Sequence, residues 1–210
     1  MIELHDVSRS YRRGADRTLA LRPVSLTAPD GAVTWLAGAS GSGKSTLLGI
    51  AGLLVRPDAG SVRLDGVDVT HASEAERTAA RQRLIGFVPQ QPRLFGELTA
   101  AQNVALATGR ARVSPSALTD VGLRARAHHP AKTLSGGEQQ RVAFTRAIQH
   151  APAALLADEP TSALDDANAH AILQLIRRLA DEGRCVIVAS HDARLGEIAD
   201  ATLTLTAGAR

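Results

Sequence analysis

Apolar and polar residues alternate loosely in "IELHDV" and in "PVSLTAPDGAVTWLAG", the latter carrying turn chemistry at Pro29, Asp30 and Gly31. A period of two predicts short antiparallel strands here, and "VTWLAG" predicts a buried strand that runs into a glycine-rich loop. After Thr46, "LLGIAGLL" has helical length and meets no breaker before Pro57. "SVRLDGVDV" alternates around Asp65 and Gly66, the chemistry of a tight turn between paired strands. The polar, alanine-rich stretch from Ser73 to Arg83 predicts a helix, and "LIGFVPQ" a strand stopped by proline. From Gln91 to Leu134 the pattern is mostly helical, in "TAAQNVALAT" and in "SPSALTDVGL", which carries a helix start at Ser114 and Pro115.

A further helical run from Glu138 to His150 leads into the apolar strand "AALLAD". The amphipathic helix "DANAHAILQLIRRLADEG", the strand "CVIVAS" and a closing strand "ATLTLTAG" complete the chain. Strands alternating with helices predict an α/β fold with a largely parallel sheet, an antiparallel β subdomain and an inserted helical lobe. The expected division is one domain over residues 1–210. Residues 1–90 and 139–210 form its core with the β subdomain, and residues 91–138 form the lobe.

Composition narrows this picture. A chain of 210 residues, 44% of them apolar, can bury a substantial core, which excludes disorder. The 24 cationic side chains exceed the 21 acidic ones by three, too small an imbalance to argue for nucleic acid. Lys44 and Lys132 are the two lysines in the sequence, which makes the placement of Lys44 informative. A single cysteine, Cys185, inside an apolar run fits a reducing, cytosolic setting. No apolar stretch reaches the roughly 18 residues of a membrane span, and "MIELHDVSRS" lacks the order of a signal peptide. The chain itself is therefore expected neither to cross nor to enter a membrane.

"GASGSGKST" runs from Gly38 through Ala39, Ser40, Gly41, Ser42, Gly43, Lys44 and Ser45 to Thr46, between a predicted strand and a predicted helix. It fits the phosphate-loop pattern: glycines let backbone N–H groups wrap phosphates, Lys44 reaches the outer ones, and the Ser45 hydroxyl coordinates Mg²⁺. "ALLADEP" is an apolar strand ending in two carboxylates. Asp158 is the candidate for the magnesium shell and Glu159 for the base that polarises the attacking water. His191, after "CVIVAS", is either a solvated histidine or a γ-phosphate contact, and Gln90 is locally a polar residue at a strand end. In "LSGGEQQR", Ser135, Gly136 and Gly137 are either an ordinary helix cap or a second anion site at a helix start. One triphosphate does not need two such sites, which points to a second copy of the chain.

Taken in order, Tyr11, "GASGSGKST", "GFVPQ", "LSGGEQQR", "ALLADEP", "SALD" and His191 resemble the nucleotide-binding subunit of ATP-binding cassette (ABC) transporters over nearly the whole chain. The pattern is most similar to the bacterial branch that includes lipoprotein-release and macrolide or peptide export ATPases. The resemblance implies that Tyr11 stacks on adenine and that Gly38 to Thr46 hold the phosphates. Ser45, Gln90 and Asp158 would share the magnesium shell, with Glu159 as base and His191 on the γ-phosphate. Asp165 in "SALD" would lie at a dimer seam, and Ser135, Gly136, Gly137 and Glu138 would close over the ATP of the opposite subunit. Two departures stand out: Glu138 replaces the commoner glutamine, and Thr145 stands where a small apolar residue is usual. The sequence stops with the predicted strand ending in "LTAGAR", so no C-terminal regulatory domain is expected.

The resulting expectation is an ATPase that forms a homodimer around two Mg-ATP and drives a separate integral membrane permease, most simply an exporter. A helix of that permease would dock between the two lobes near Gln90. The protein would be cytoplasmic and peripheral on the inner face of the membrane, with no nucleic acid partner. Two other readings stay open: an ATP-dependent scaffold at the membrane from the same branch, and a soluble ABC-type ATPase acting on DNA or ribosomes.

Overall fold

A computed structural model of the chain describes residues 1–13, 16–109 and 113–206. The alternating residues near the N-terminus form two long strands, β1 (Ile2–Arg13) and β2 (Asp16–Ala28), where short ones were expected. Their antiparallel register shifts between Leu4 and Val7, Val7 and Arg9, and Arg9 and Ser10. Such bulges bend and twist a ribbon of this length, which alternation alone does not reveal. The predicted buried strand is β3 (Val33–Ala37), and α1 (Lys44–Ala51) leaves the glycine loop that follows it. β4 (Ala59–Leu64) turns through Asp65 and Gly66 into the two-residue β5 (Val67–Asp68). These strands make an antiparallel sheet in the order β2-β1-β4-β5.

α2 (Glu74–Leu84) begins in a reciprocal capping box between Ser73 and Glu76, and β6 (Ile85–Val88) follows it directly. After α3 (Ala100–Ala105) come α4 (Gly136–Ile148), β7 (Ala154–Asp158), α5 (Asp166–Asp181), β8 (Cys185–Ala189) and β9 (Ala201–Thr204). The last residues of the predicted "ATLTLTAG" strand run beyond its observed end at Thr204, and from residue 207 onward lie outside the described residues. The second sheet has the order β6-β7-β8-β3-β9, and every strand pair in it is parallel.

Both faces of this sheet are covered, which is why its central strands read as unbroken apolar runs. Leu155, Ala157, Val186 and Val188 share one core with Val142 and Phe144 of α4 and Ile172 and Ile176 of α5. Leu156, Cys185, Ile187 and Ala189 point the other way, into a core with Leu47, Leu48 and Ile50 of α1 and Leu4 and Val7 of β1. The antiparallel sheet and α1 therefore close one side, and α4 and α5 the other.

Between residues 91 and 134 the structure departs from the sequence reading. The α-helix among the described residues here is the six-residue α3, and the rest is a series of single 3₁₀ turns. The helix expected from Ser114 does start with that serine as cap and Pro115 in its first turn, but it stops at Leu118. Gly122 adopts a left-handed φ of 70°, and the buried Leu118, Val121, Leu123 and Ala127 follow one another at irregular intervals. The buried side chains thus fall on some of these turns and between others, without forming a helical stripe. Fully buried Asn103 ties the segment together: its carbonyl accepts from the Phe95 N–H, and its amide nitrogen lies 3.0 to 3.2 Å from the carbonyls of Phe95, Leu98 and Thr99.

Candidate functional site

Parallel pairing sets Val88 opposite Ala157, Asp158 opposite Ala189, and Leu36 opposite Ala189. Consequently the residues that follow β3, β6, β7 and β8 all emerge at one edge of the sheet, the carboxyl ends of the strands. A cleft of about 670 Å³ opens there. Every residue of the predicted loop from Gly38 to Thr46 lines it except Ser42, and Gln90, Asp158, Glu159 and His191 reach it from the other strand ends. Thr18, Leu19 and Ala20 of β2 form the remaining wall.

The loop is shaped by glycine. Gly38, Gly41 and Gly43 have φ of 140°, 78° and 99°. At Gly38 a Cβ would lie 2.4 Å from the Leu205 carbonyl oxygen, and at Gly43 2.6 Å from the Ala20 carbonyl oxygen, both in backbone conformations that L side chains rarely adopt. Gly43 is also the N-cap of α1, with no side chain capping it and no acid in the first turn. The first N–H groups of α1 are thus left for an anion. Lys44, 8% exposed, folds back over the loop: its ammonium donates to the carbonyls of Gly38 at 2.6 Å and Ala39 at 3.1 Å. That places the cation at the mouth of the ring of N–H groups.

The two carboxylates after β7 are held differently. Asp158 is buried, and its Oδ1 has no hydrogen-bond partner among the described residues. Burial pushes its carboxyl above the ordinary range, and Glu159 adds to this, while the Ser45 hydroxyl and Lys44 pull the other way. An orphaned buried oxygen beside a hydroxyl fits a hard cation. No three histidine, cysteine or acidic side chains among the described residues are placed to hold a metal ion by themselves. A cation here would therefore take Asp158, Ser45 and Gln90 together with ligand oxygens.

Glu159 has a left-handed φ of 48°, a strain of order 1–3 kcal/mol for a residue other than glycine. Its N–H donates to the Ala189 carbonyl at 2.8 Å. One carboxylate oxygen accepts from the Ser190 hydroxyl at 2.7 Å, and the other lies 2.9 Å from His191 Nδ1. The histidine side chain is 74% exposed, whereas that of Glu159 is 11% exposed. His191 thus stands in the cleft with one ring nitrogen on the carboxylate, a more specific setting than a solvated histidine.

The other predicted residues lie apart from this cleft. Tyr11 on β1 stands opposite Thr18 of the cleft wall, but the ring itself is not part of the lining. The Arg9 guanidinium sits over that ring, 5.0 Å from its centre. Ser135, Gly136, Gly137 and Glu138 form the start of α4. Ser135 Oγ accepts from the Glu138 N–H at 3.2 Å, and a Glu138 carboxylate oxygen accepts from the Ser135 N–H at 2.8 Å. Arg126 Nε lies 3.3 Å from the other oxygen. The Ser135 N–H, first among the causes, holds the Glu138 carboxyl below its ordinary range. Asp165 caps α5, accepting from the backbone and side-chain amides of Asn168.

Sequence reasoning missed Thr18, Leu19, Ala20 and Ser190. The first three follow from a register with several bulges, which no local pattern encodes. Ser190 read as the end of "CVIVAS", although a hydroxyl beside the candidate His191 was a usable signal.

A family described as ABC transporter matches residues 21–162. The chain is 41% identical to the lipoprotein-releasing system ATP-binding protein LolD of Hyphomonas neptunium, over 99% of this chain and 95% of that protein. It is 40% identical to the macrolide export ATP-binding/permease protein MacB of Chlorobaculum tepidum, again over 99% of this chain but spanning only 33% of that protein. A dimeric structure of MJ0796, a bacterial ABC transporter cassette, superposes with a TM-score of 0.93 at 36% identity, covering 99% of this chain and 95% of that one. A post-hydrolysis dimer of MJ0796 bound to ADP and Pi gives a TM-score of 0.92 at 35% identity. With a phosphate loop, paired carboxylates and a histidine converging on one sheet edge, and these relatives along its whole length, the chain belongs to the ABC transporter family as one of its ATPase cassettes.

Proposed function

We propose that two copies of this chain close around two ATP molecules, hydrolyse them, and so drive a separate integral membrane permease, most simply an exporter of the lipoprotein-release or macrolide-export kind. The observation that carries this reading is the cleft itself: a free helix start, a lysine and a clamped carboxylate on one edge of the sheet. The cassette is read as one domain, with residues 91–138 as the lobe against which a permease helix docks near Gln90. No helix among the described residues is long and apolar enough to cross a membrane. The protein would accordingly sit on the cytoplasmic face of the membrane through its partner.

In this mechanism the loop N–H groups and Lys44 hold and neutralise the phosphates, and Tyr11 offers its ring to the adenine. A magnesium ion on Asp158, Ser45 and Gln90 would supply further charge neutralisation. Glu159 orients the attacking water in line with the γ-phosphate and takes its proton, and His191 holds the γ-phosphate oxygens. The nucleotide's remaining face is closed by Ser135 to Glu138 of the second copy, with Asp165 at the seam. The dimeric MJ0796 cassettes and the name of LolD support this arrangement.

The test is the Glu159→Gln variant. It should bind ATP as the parent does in a titration and lose nearly all hydrolysis; unimpaired turnover would remove Glu159 from its role. Co-purification with an integral membrane protein whose substrate stimulates the ATPase in lipid tests the transport part, and a complex whose ATPase ignores every exported substrate would count against it.

A further inference from the structure

Glu159 is gripped by two groups of very different character. His191 is largely exposed and holds one oxygen through a single ring nitrogen. Ser190 is fully buried, and all of its polar groups are committed. Its N–H donates to the Leu36 carbonyl of β3 at 3.3 Å, and its carbonyl accepts from the Trp35 indole at 2.9 Å. Its hydroxyl donates to Glu159 and accepts from the Asp192 N–H at 3.1 Å.

The residues that follow anchor this post. Asp192 accepts from the Thr161 hydroxyl at 2.8 Å and from the Arg194 guanidinium. The Arg194 hydrogen bonds, first among the causes, bring the Asp192 carboxyl down to about 2. Arg194 also reaches Asp166 in the first turn of α5. Ser190 is thus a rigid donor fixed to β3, to the segment after β7 and to the start of α5.

We infer that Ser190 is the positioning residue for the base. Its hydroxyl keeps one carboxylate oxygen of Glu159 fixed while the other is handed from His191 to the attacking water. The asymmetry of the clamp carries this. When His191 turns toward the γ-phosphate, Glu159 keeps one of its two side-chain restraints, and that restraint already holds a strained backbone in place. Without Ser190, the freed carboxylate would rotate away from the water. This inference rests on the reading of Glu159 as the base and adds to it the group that aims the base.

The experiment compares Ser190→Ala, Ser190→Thr and Glu159→Gln in the purified protein. A misplaced catalytic group of this kind lowers turnover by about 10²-fold. Ser190→Ala should therefore lose kcat on that scale with little change in KM for ATP. Ser190→Thr, which keeps the hydroxyl, should recover most of it. Combined with Glu159→Gln, Ser190→Ala should still give the ATP-loaded dimer, showing that the fold and the nucleotide site are intact. Full turnover in Ser190→Ala overturns the inference, as do a parallel rise in KM, failure of the combined variant to dimerise, or a threonine variant as slow as alanine. Normal hydrolysis by Glu159→Gln would instead overturn the reading of Glu159, independently of Ser190.

Discussion

At the start of α1 the cap is a left-handed glycine, the first turn carries no acid, and a lysine lies across the loop mouth. At the start of α4 the cap is Ser135, and the third residue, Glu138, returns its carboxylate to the Ser135 N–H. Both are helix starts next to glycine, and both raise the same expectation of an anion site. The first opens into the cleft described above. The second has satisfied part of its own demand for negative charge and stands on the surface, with Gly136 facing open space. Under the proposed function the first helix start binds a phosphate by itself, whereas the second adds to a ligand already held by something else. A second chain is the simplest carrier of that ligand.

The largest effect that separates the two starts comes from charge. Lys44→Ala should weaken ATP binding by about 10²-fold or more, the scale for removing the charged partner of a bound anion. Lys132→Ala, whose ammonium pairs with exposed Glu97, should leave a titration unchanged. Equal losses would mean that the loop is not special.

Next comes backbone shape. Gly43→Ala combines a forbidden φ with a clash against Ala20, so it should cost about 2–3 kcal/mol or more in urea unfolding, together with nucleotide binding. Gly136→Ala enters open space on a helix and should change stability by no more than about 1 kcal/mol in the stabilising direction. If the proposed two-copy site is right, it should nonetheless reduce ATP-driven dimerisation, because the added methyl would then stand on the face offered to the partner. A destabilised Gly136→Ala protein, or one that dimerises normally, would erase the contrast.

The smallest effect is in acid. Glu138 is lowered from its ordinary 4.5 by its cap hydrogen bonds, so its contribution is complete above that value and disappears as pH falls through the lower, folded one. The first turn of α4 should therefore lose amide protection below about pH 4.5, and Glu138→Gln should remove this dependence. α1 has no acid in its own first turn and so offers no cap of this kind to titrate.

Much of this was legible in the chain because local chemistry and fold agree there. The loop from Gly38 to Thr46 announces itself by glycines that its positive φ values require, and Asp158 and Glu159 by an apolar strand that ends in acids. The Ser73, Ser114, Ser135 and Asp165 caps sit where the serine or aspartate stands in sequence. What was not legible depends on register and long-range packing. The bulges that carry Thr18, Leu19 and Ala20 to the cleft are set by pairing with β1, not by the composition of β2. The turns from Ser114 to Thr133 bury side chains at irregular spacing, and a periodic template turns those into a helix. Ser190 stands beside His191 in sequence, but its contact with Glu159 joins the ends of two strands and is set by the sheet.

Light scattering of the Glu159→Gln protein with saturating Mg-ATP would decide whether the start of α4 serves a nucleotide held by another copy. The mass should double from that of the 22.0 kDa chain and return to it when Lys44→Ala is added. A hydrolysis-dead, ATP-saturated protein that keeps the mass of a single chain would contradict the two-copy site.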